Sequence, residues 1–196
     1  FLHVPVDKIR KTFEATTQYT ATVIHGPKPN QTFKSPNPAL NVHRRKEAVA
    51  TDSMFADVAA VDTPGYTGAQ IFVGRSSLLS DPYGFCSVSE FPNTLEDNIR
   101  ERGAMDVLIS DHANYEMSAR VKDILRGLMI GHWKSEPYYQ HQNFAEHRWG
   151  HIKSNLEWLM SFLDVDPDCW LLALNYVCHV MNLTAEKTLG WRTPQE

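Results

Sequence analysis

Between Val107 and Lys153 the chain sets one carboxylate at the end of a strand and another at the start of a helix, which restricts the folds open to it. Val107-Leu108-Ile109-Ser110-Asp111 is three apolar residues followed by Ser-Asp, the pattern of a buried central strand running into a loop. Asn143-Phe144-Ala145-Glu146-His147-Arg148 opens a helix. Its apolar positions Ala145, Trp149, Ile152, Leu156, Leu159 and Leu163 recur at spacings of four, three, four, three and four, which makes one buried stripe. Glu146 lies beside that stripe and can point into a cleft. The two acids are 146 − 111 = 35 residues apart. Carboxylates held at fixed separation bind hard divalent cations, and Mg²⁺ favours oxygen ligands. By itself Ser-Asp is weak evidence, because such an Asp more often caps a helix or a turn.

In chain order, residues 5–17 read as a short helix with Ile9 and Phe13 on one face. Pro27, Pro29, Pro36 and Pro38 mark residues 25–41 as a linker or extended arm, and the basic knot His43-Arg44-Arg45-Lys46 follows it. Strands are expected at 47–55, 69–75 and 83–88, with a loop at 56–68 and a turn near Ser80-Asp81-Pro82. A helix from Pro92 to Arg102 stops at Gly103, and a fourth strand runs from Met105 to Ser110. An amphipathic helix at 116–127, a fifth strand at 128–133, a polar and aromatic loop at 134–143, the Glu146 helix and an apolar helix at 167–182 complete the order. The expected domains are therefore a helix and basic arm over 1–46 and one α/β domain over 47–196.

Charge agrees with that division. Residues 1–49 carry eight Lys and Arg against three acids, about +5, and the remainder carries eleven against twenty, or −9. A basic arm on an acidic body is compatible with nucleic-acid binding through the arm, although solvated basic tails are common. Cys86, Cys169 and Cys178 lack the spacing of a zinc site or a disulfide framework, and no apolar run is long enough to span a membrane. His132, His141 and His151 share no metal-ligand spacing and read as surface or satisfied residues. Starting at Phe1 and stopping at Glu196, the sequence reads as part of a longer protein.

Three meandering strands followed by helix, strand, helix, strand and helix is the order of an RNase H-like fold, a five-stranded mixed sheet flanked by helices. In such a fold acids from the first strand, the fourth strand and a later helix converge. Asp52, Asp111 and Glu146 hold those places, with 111 − 52 = 59 residues and then 35 between them. Here the sequence resembles the catalytic core of retroviral and LTR-retrotransposon integrases, the Asp-Asp-Glu polynucleotidyl transferases, over roughly residues 47–196. The 35-residue spacing is that family's. Leu108-Ile109-Ser110-Asp111 resembles its fourth strand, with His112-Ala113-Asn114 in place of the usual Asn-Gly. Gln142-Asn143-Phe144-Ala145-Glu146 resembles Asn-x-x-Ala-Glu-Arg, with His147 where Arg is usual and Arg148 next. Trp170 and Ala173 resemble residues of the family's following helix, which ends near an Asn such as Asn182. Thr193-Pro194-Gln195-Glu196 looks like the Thr-Pro-x-Glu of copia-type elements in their polyproteins.

The resemblance implies metal-dependent processing of element-DNA 3′ ends and their transfer into target DNA. Asp52, Asp111 and Glu146 would hold two Mg²⁺ or Mn²⁺ ions. Asp57 is the rival to Asp52. Candidate DNA contacts are Lys153, Gln142, Tyr139, Arg148, Arg44, Arg45 and Lys46; Lys153 could equally be a solvated lysine, and Gln142 and Tyr139 ordinary polar loop residues. The implied partners are DNA, further copies of the chain and flanking reverse transcriptase and RNase H domains, with no membrane, in an intracellular particle and the nucleus. An RNase H- or resolvase-type nuclease, or an inactive domesticated DNA-binding or dimerisation module, are the alternative functions.

Overall fold

The computed structural model describes residues 4–15, 36–110, 118–134 and 144–196. Five strands form one mixed sheet in the order β3-β2-β1-β4-β5: β1 (Ala48–Phe55), β2 (Gly68–Gly74), β3 (Ser80–Phe85), β4 (Val107–Ser110) and β5 (Gly131–Lys134). The first three pair antiparallel as a meander, and β4 and β5 join β1 in parallel. The helices are α1 (Val6–Ala15), α2 (Phe91–Arg102), α3 (Ala119–Gly127), α4 (Phe144–Leu163) and α5 (Trp170–Asn182). This is the expected RNase H-like architecture, with helices on both faces.

The sheet divides two apolar layers because strand side chains alternate. Val49, Phe72 and Leu108 face α2 and α3 and pack on Phe91, Leu95, Ile99, Val121 and Leu125. Ala50, Ile71, Val73 and Ile109 face the other way onto Ile152, Leu156 and Leu159 of α4 and Trp170, Leu174 and Val177 of α5. Ile152, Leu156 and Leu159 of the α4 stripe are thus buried and Trp149 is half-buried, whereas Leu163 at the end of the stripe is exposed. Asn182, at the end of α5, exchanges hydrogen bonds with the Ser80 backbone: the Ser80 N–H donates to Oδ1 and Nδ2 donates to the Ser80 carbonyl, each at 2.9 Å. The Trp170 indole donates to the Val58 carbonyl at 2.9 Å, fixing the other end. Thr193 is buried, and the Gln195 N–H returns to the Asn182 carbonyl at 3.2 Å, so the Thr-Pro-Gln-Glu tail closes over α5.

Two boundaries differ from expectation. Ser80-Asp81-Pro82, read as a turn, is the start of β3, and Pro82 pairs with Ile71. A proline is tolerated there because β3 is an outer strand. The turn lies instead at Arg75–Leu79, where Glu47 accepts from the Ser76 and Ser77 N–H groups at 3.1 and 3.0 Å. A Cβ on Gly74 would stand 2.7 Å from a Glu47 carboxylate oxygen, so glycine is needed for that approach. The second difference concerns the N-terminal helix. α1 lies within the expected 5–17, but it is docked: Lys8 pairs with Glu186 at 2.8 Å and Thr12 Oγ1 accepts from the Ala185 N–H at 2.9 Å. Residues 16–35, which hold Pro27 and Pro29, lie outside the described residues.

Candidate metal and nucleic-acid site

Asp52 sits between Ala50 and Met54 in the alternation of β1, and both of those pack on the α4/α5 layer. Its side chain therefore leaves the sheet on that side. It is half-buried, and the Ser53 N–H donates to its Oδ1 at 2.8 Å. Its neighbours Thr51 and Ser53 point the other way into a buried polar network. Ser53 donates to Gln70 Oε1 at 2.5 Å, Gln70 Nε2 donates to Thr51 Oγ1, and Thr51 donates to the Ile71 carbonyl at 3.0 Å. The network holds β1 on either side of Asp52. Sequence reading missed it, and its only sequence trace is polar residues at alternate positions of a strand otherwise apolar.

β4 runs beside β1 with Ala48 next to Val107, Val49 next to Leu108 and Ala50 next to Ile109, a constant offset of 107 − 48 = 59. Its last described residue is Ser110, whose buried Oγ lies 2.8 Å from His132 Nε2 on β5. Asp111 follows directly and lies outside the described residues. Glu146 occupies the first turn of α4 and is half-buried. A carboxylate there is favoured by the positive end of the helix dipole. α4 packs on both β1 and β2. Two of the three expected acids thus come from elements in direct contact on one face of the sheet. Asp57 is exposed, two residues beyond the end of β1.

The basic residues divide. Lys153 is exposed on α4, 4.0 Å from Glu157, and Lys46 is exposed. Arg44 donates to the Leu128 carbonyl at 2.6 Å and pairs with Asp106 at 3.4 Å. Arg45 and Arg148 make ion pairs within the chain. Arg45 is spent on Glu47 at 2.7 Å, and Arg148, 7% exposed, pairs with Glu186 at 3.0 Å. Burial opposes ionisation of Glu186, yet the hydrogen bonds and charges of Lys8 and Arg148 hold its carboxyl below the ordinary glutamate value. Burial likewise opposes ionisation of Glu47, and Ser77 and Arg45 outweigh it. Tyr139 and Gln142 lie outside the described residues.

No family model matches the sequence, and no curated protein does. Solved structures match in fold. The catalytic core of HTLV-2 integrase in complex with magnesium, in its trimeric form, superposes with a TM-score of 0.59 at 14% identity, over 76% of this chain and 94% of that one. The simian T-cell lymphotropic virus intasome in complex with a PP2A regulatory subunit gives 0.63 at 19% identity, over 79% of this chain and 56% of that one. The catalytic core of BIV integrase gives 0.58 at 16% identity, over 77% and 92%. The chain has the fold of a retroviral integrase catalytic core.

Proposed function

We propose that the chain is the polynucleotidyl transferase core of a retrotransposon integrase, acting on DNA through Asp52, Asp111 and Glu146. One observation carries the reading: the parallel β1–β4 register has an offset of 59, and Asp52 and Asp111 are separated by the same 59 residues. Neighbours in a parallel pair share a face, so two carboxylates 59 residues apart in sequence suit this register. Glu146 adds a third from a helix packed on that same face.

The donor set suits a hard divalent cation. Asp52 and Glu146 are half-buried carboxylates on contacting elements, and oxygen-only ligation selects Mg²⁺ or Mn²⁺. Bound there, two such ions supply Lewis-acid stabilisation of the attacking and leaving oxygens in phosphoryl transfer. The residues themselves provide fixed negative charge at a packed sheet surface. The Thr51–Gln70–Ser53 network holds the Asp52 backbone, and the α4 stripe holds the helix that presents Glu146. Exposed Lys153, seven residues on, projects from nearly the same helical direction and supplies a phosphate contact. Oligomerisation, flanking polyprotein domains, a copia-type origin and action in the nucleus belong to the same reading.

The test is a strand-transfer assay with element-end DNA in Mg²⁺ or Mn²⁺, the flanking domains supplied. Asp111→Asn and Asp52→Asn should each abolish joining while circular dichroism stays that of the parent. Undiminished joining by either variant would place the metal site elsewhere. Cleavage without joining by the parent would favour the nuclease alternative.

A further inference from the structure

A cavity of about 420 Å³ opens where α1, the β2–β3 turn, the first turns of α4 and the segment after α5 meet. Neither Asp52 nor Glu146 lines it. Its volume falls in the range of about 300–1,000 Å³ typical of small-molecule sites. The Lys, Arg and Glu side chains on its wall are Lys8, Arg75 and Arg148 against Glu186, a formal excess of 3 − 1 = +2. Burial, with the charges of His147 and Arg148, lowers the His151 imidazole below its ordinary value.

Arg148 decides what such a wall could take. Its Nε donates to Ser80 Oγ at 3.3 Å and its Nη1 to Glu186 at 3.0 Å, while Nη2 is buried with no hydrogen-bond partner among the described residues. An unmet guanidinium donor in a buried site is costly until an acceptor reaches it. Arg75 is exposed and makes no ion pair among the described residues. Val4, Leu78, Met181 and Leu189 give the cavity an apolar side.

We propose that this cavity binds a small organic phosphate, its phosphoryl oxygens taken by Arg148 and Arg75 and its body resting on Val4, Leu78, Met181 and Leu189. Two guanidinium forks match a tetrahedral oxyanion better than ammonium groups would. Glu186 holds Lys8 and Nη1 of Arg148, and Nη2 is the donor that a phosphoryl oxygen would satisfy. The proposal is independent of the three acids and stands whether or not the chain joins DNA.

Isothermal titration of the full chain tests it, with phenyl phosphate and inorganic phosphate as probes and sodium chloride at matched ionic strength as control. Phenyl phosphate should bind saturably with a dissociation constant of about 1 mM or tighter, and more tightly than inorganic phosphate. Arg75→Gln should weaken it about tenfold through the lost charge-assisted contact, with the ligand-free melting temperature unchanged. Arg148→Lys, shown to be folded by circular dichroism, should lose at least as much. Four results overturn the proposal: no saturable heat, heat reproduced by chloride, equal affinity for the two probes, or parental affinity in Arg75→Gln. Displacement of phenyl phosphate by a short DNA duplex would also overturn it, by assigning the arginines to a nucleic-acid backbone.

Discussion

The two faces of the sheet are built from one set of strands and differ in what borders their apolar packing. On the α2/α3 face, Phe72 stacks on Phe91 with centroids 6.3 Å apart, and Leu95 and Leu108 are fully buried. Its strand polar groups satisfy one another, as in Thr51–Gln70–Ser53, and Arg102 neutralises Asp81 at 2.6 Å. On the α4/α5 face the same apolar packing is bordered by the Asp52 and Glu146 carboxylates and by an Arg148 with an unmet donor. One face is closed apolar packing and the other is bordered by two half-buried carboxylates, although a single residue step along β1 separates them.

That contrast can be broken most sharply by a crossed pair of substitutions. Asp52→Asn should reduce strand transfer to background yet move the melting temperature by no more than about 2–4 °C, the shift of about 1 kcal/mol in a chain of this size. Leu108→Ala should do the reverse, costing about 2–5 kcal/mol as a buried leucine replaced by alanine, with activity falling only as the folded fraction falls. Calorimetry and the joining assay on both variants would refute the contrast if Asp52→Asn unfolded the chain or Leu108→Ala left it as stable as the parent.

The next effect is on the α4/α5 face and depends on pH. The Glu186 carboxyl is depressed in the folded chain, so its contribution is fully present above the ordinary glutamate value of about 4.3 and is lost as pH falls through the lower folded value. Glu186→Gln should cost about 3 kcal/mol near neutrality, the lower end for breaking a buried pair, and should flatten the loss of stability in acid. Urea titrations of both proteins at pH 7 and pH 3 measure it, and an equal acid loss in the two would assign that loss to other carboxylates. The smallest effect is at the exposed end of the same helix. Lys153→Ala should leave stability within about 0.5 kcal/mol and lower the logarithmic salt slope of DNA binding by about 0.9. An unchanged slope would make Lys153 an ordinary solvated lysine.

The α2/α3 face was the more legible in the sequence. Its strands and the α2 helix are apolar in the period that their structure requires, and both Pro92 and Gly103 fall at helix ends as read. The elements that carry Asp52 and Glu146, β1 and α4, were legible too, by their apolar patterns. What escaped was pairing over long separations. Nothing near Arg148 announces Glu186, 38 residues later, and nothing near Lys8 announces that residue 178 positions away. Read locally, each looks like a solvated cation, and only the fold shows its pairing with Glu186. The start of β3 was misplaced for a related reason. Ser-Asp-Pro has turn chemistry, and its strand conformation comes from Ile71 and Phe72 of the neighbouring strand.

Pro82 has one more consequence. An outer strand ordinarily offers a row of unpaired amides on which another chain can add. β3 lacks the amide at Pro82. That gap makes the β3 rim a poorer template for continuing the sheet from molecule to molecule, and so opposes ribbon-like aggregation through it.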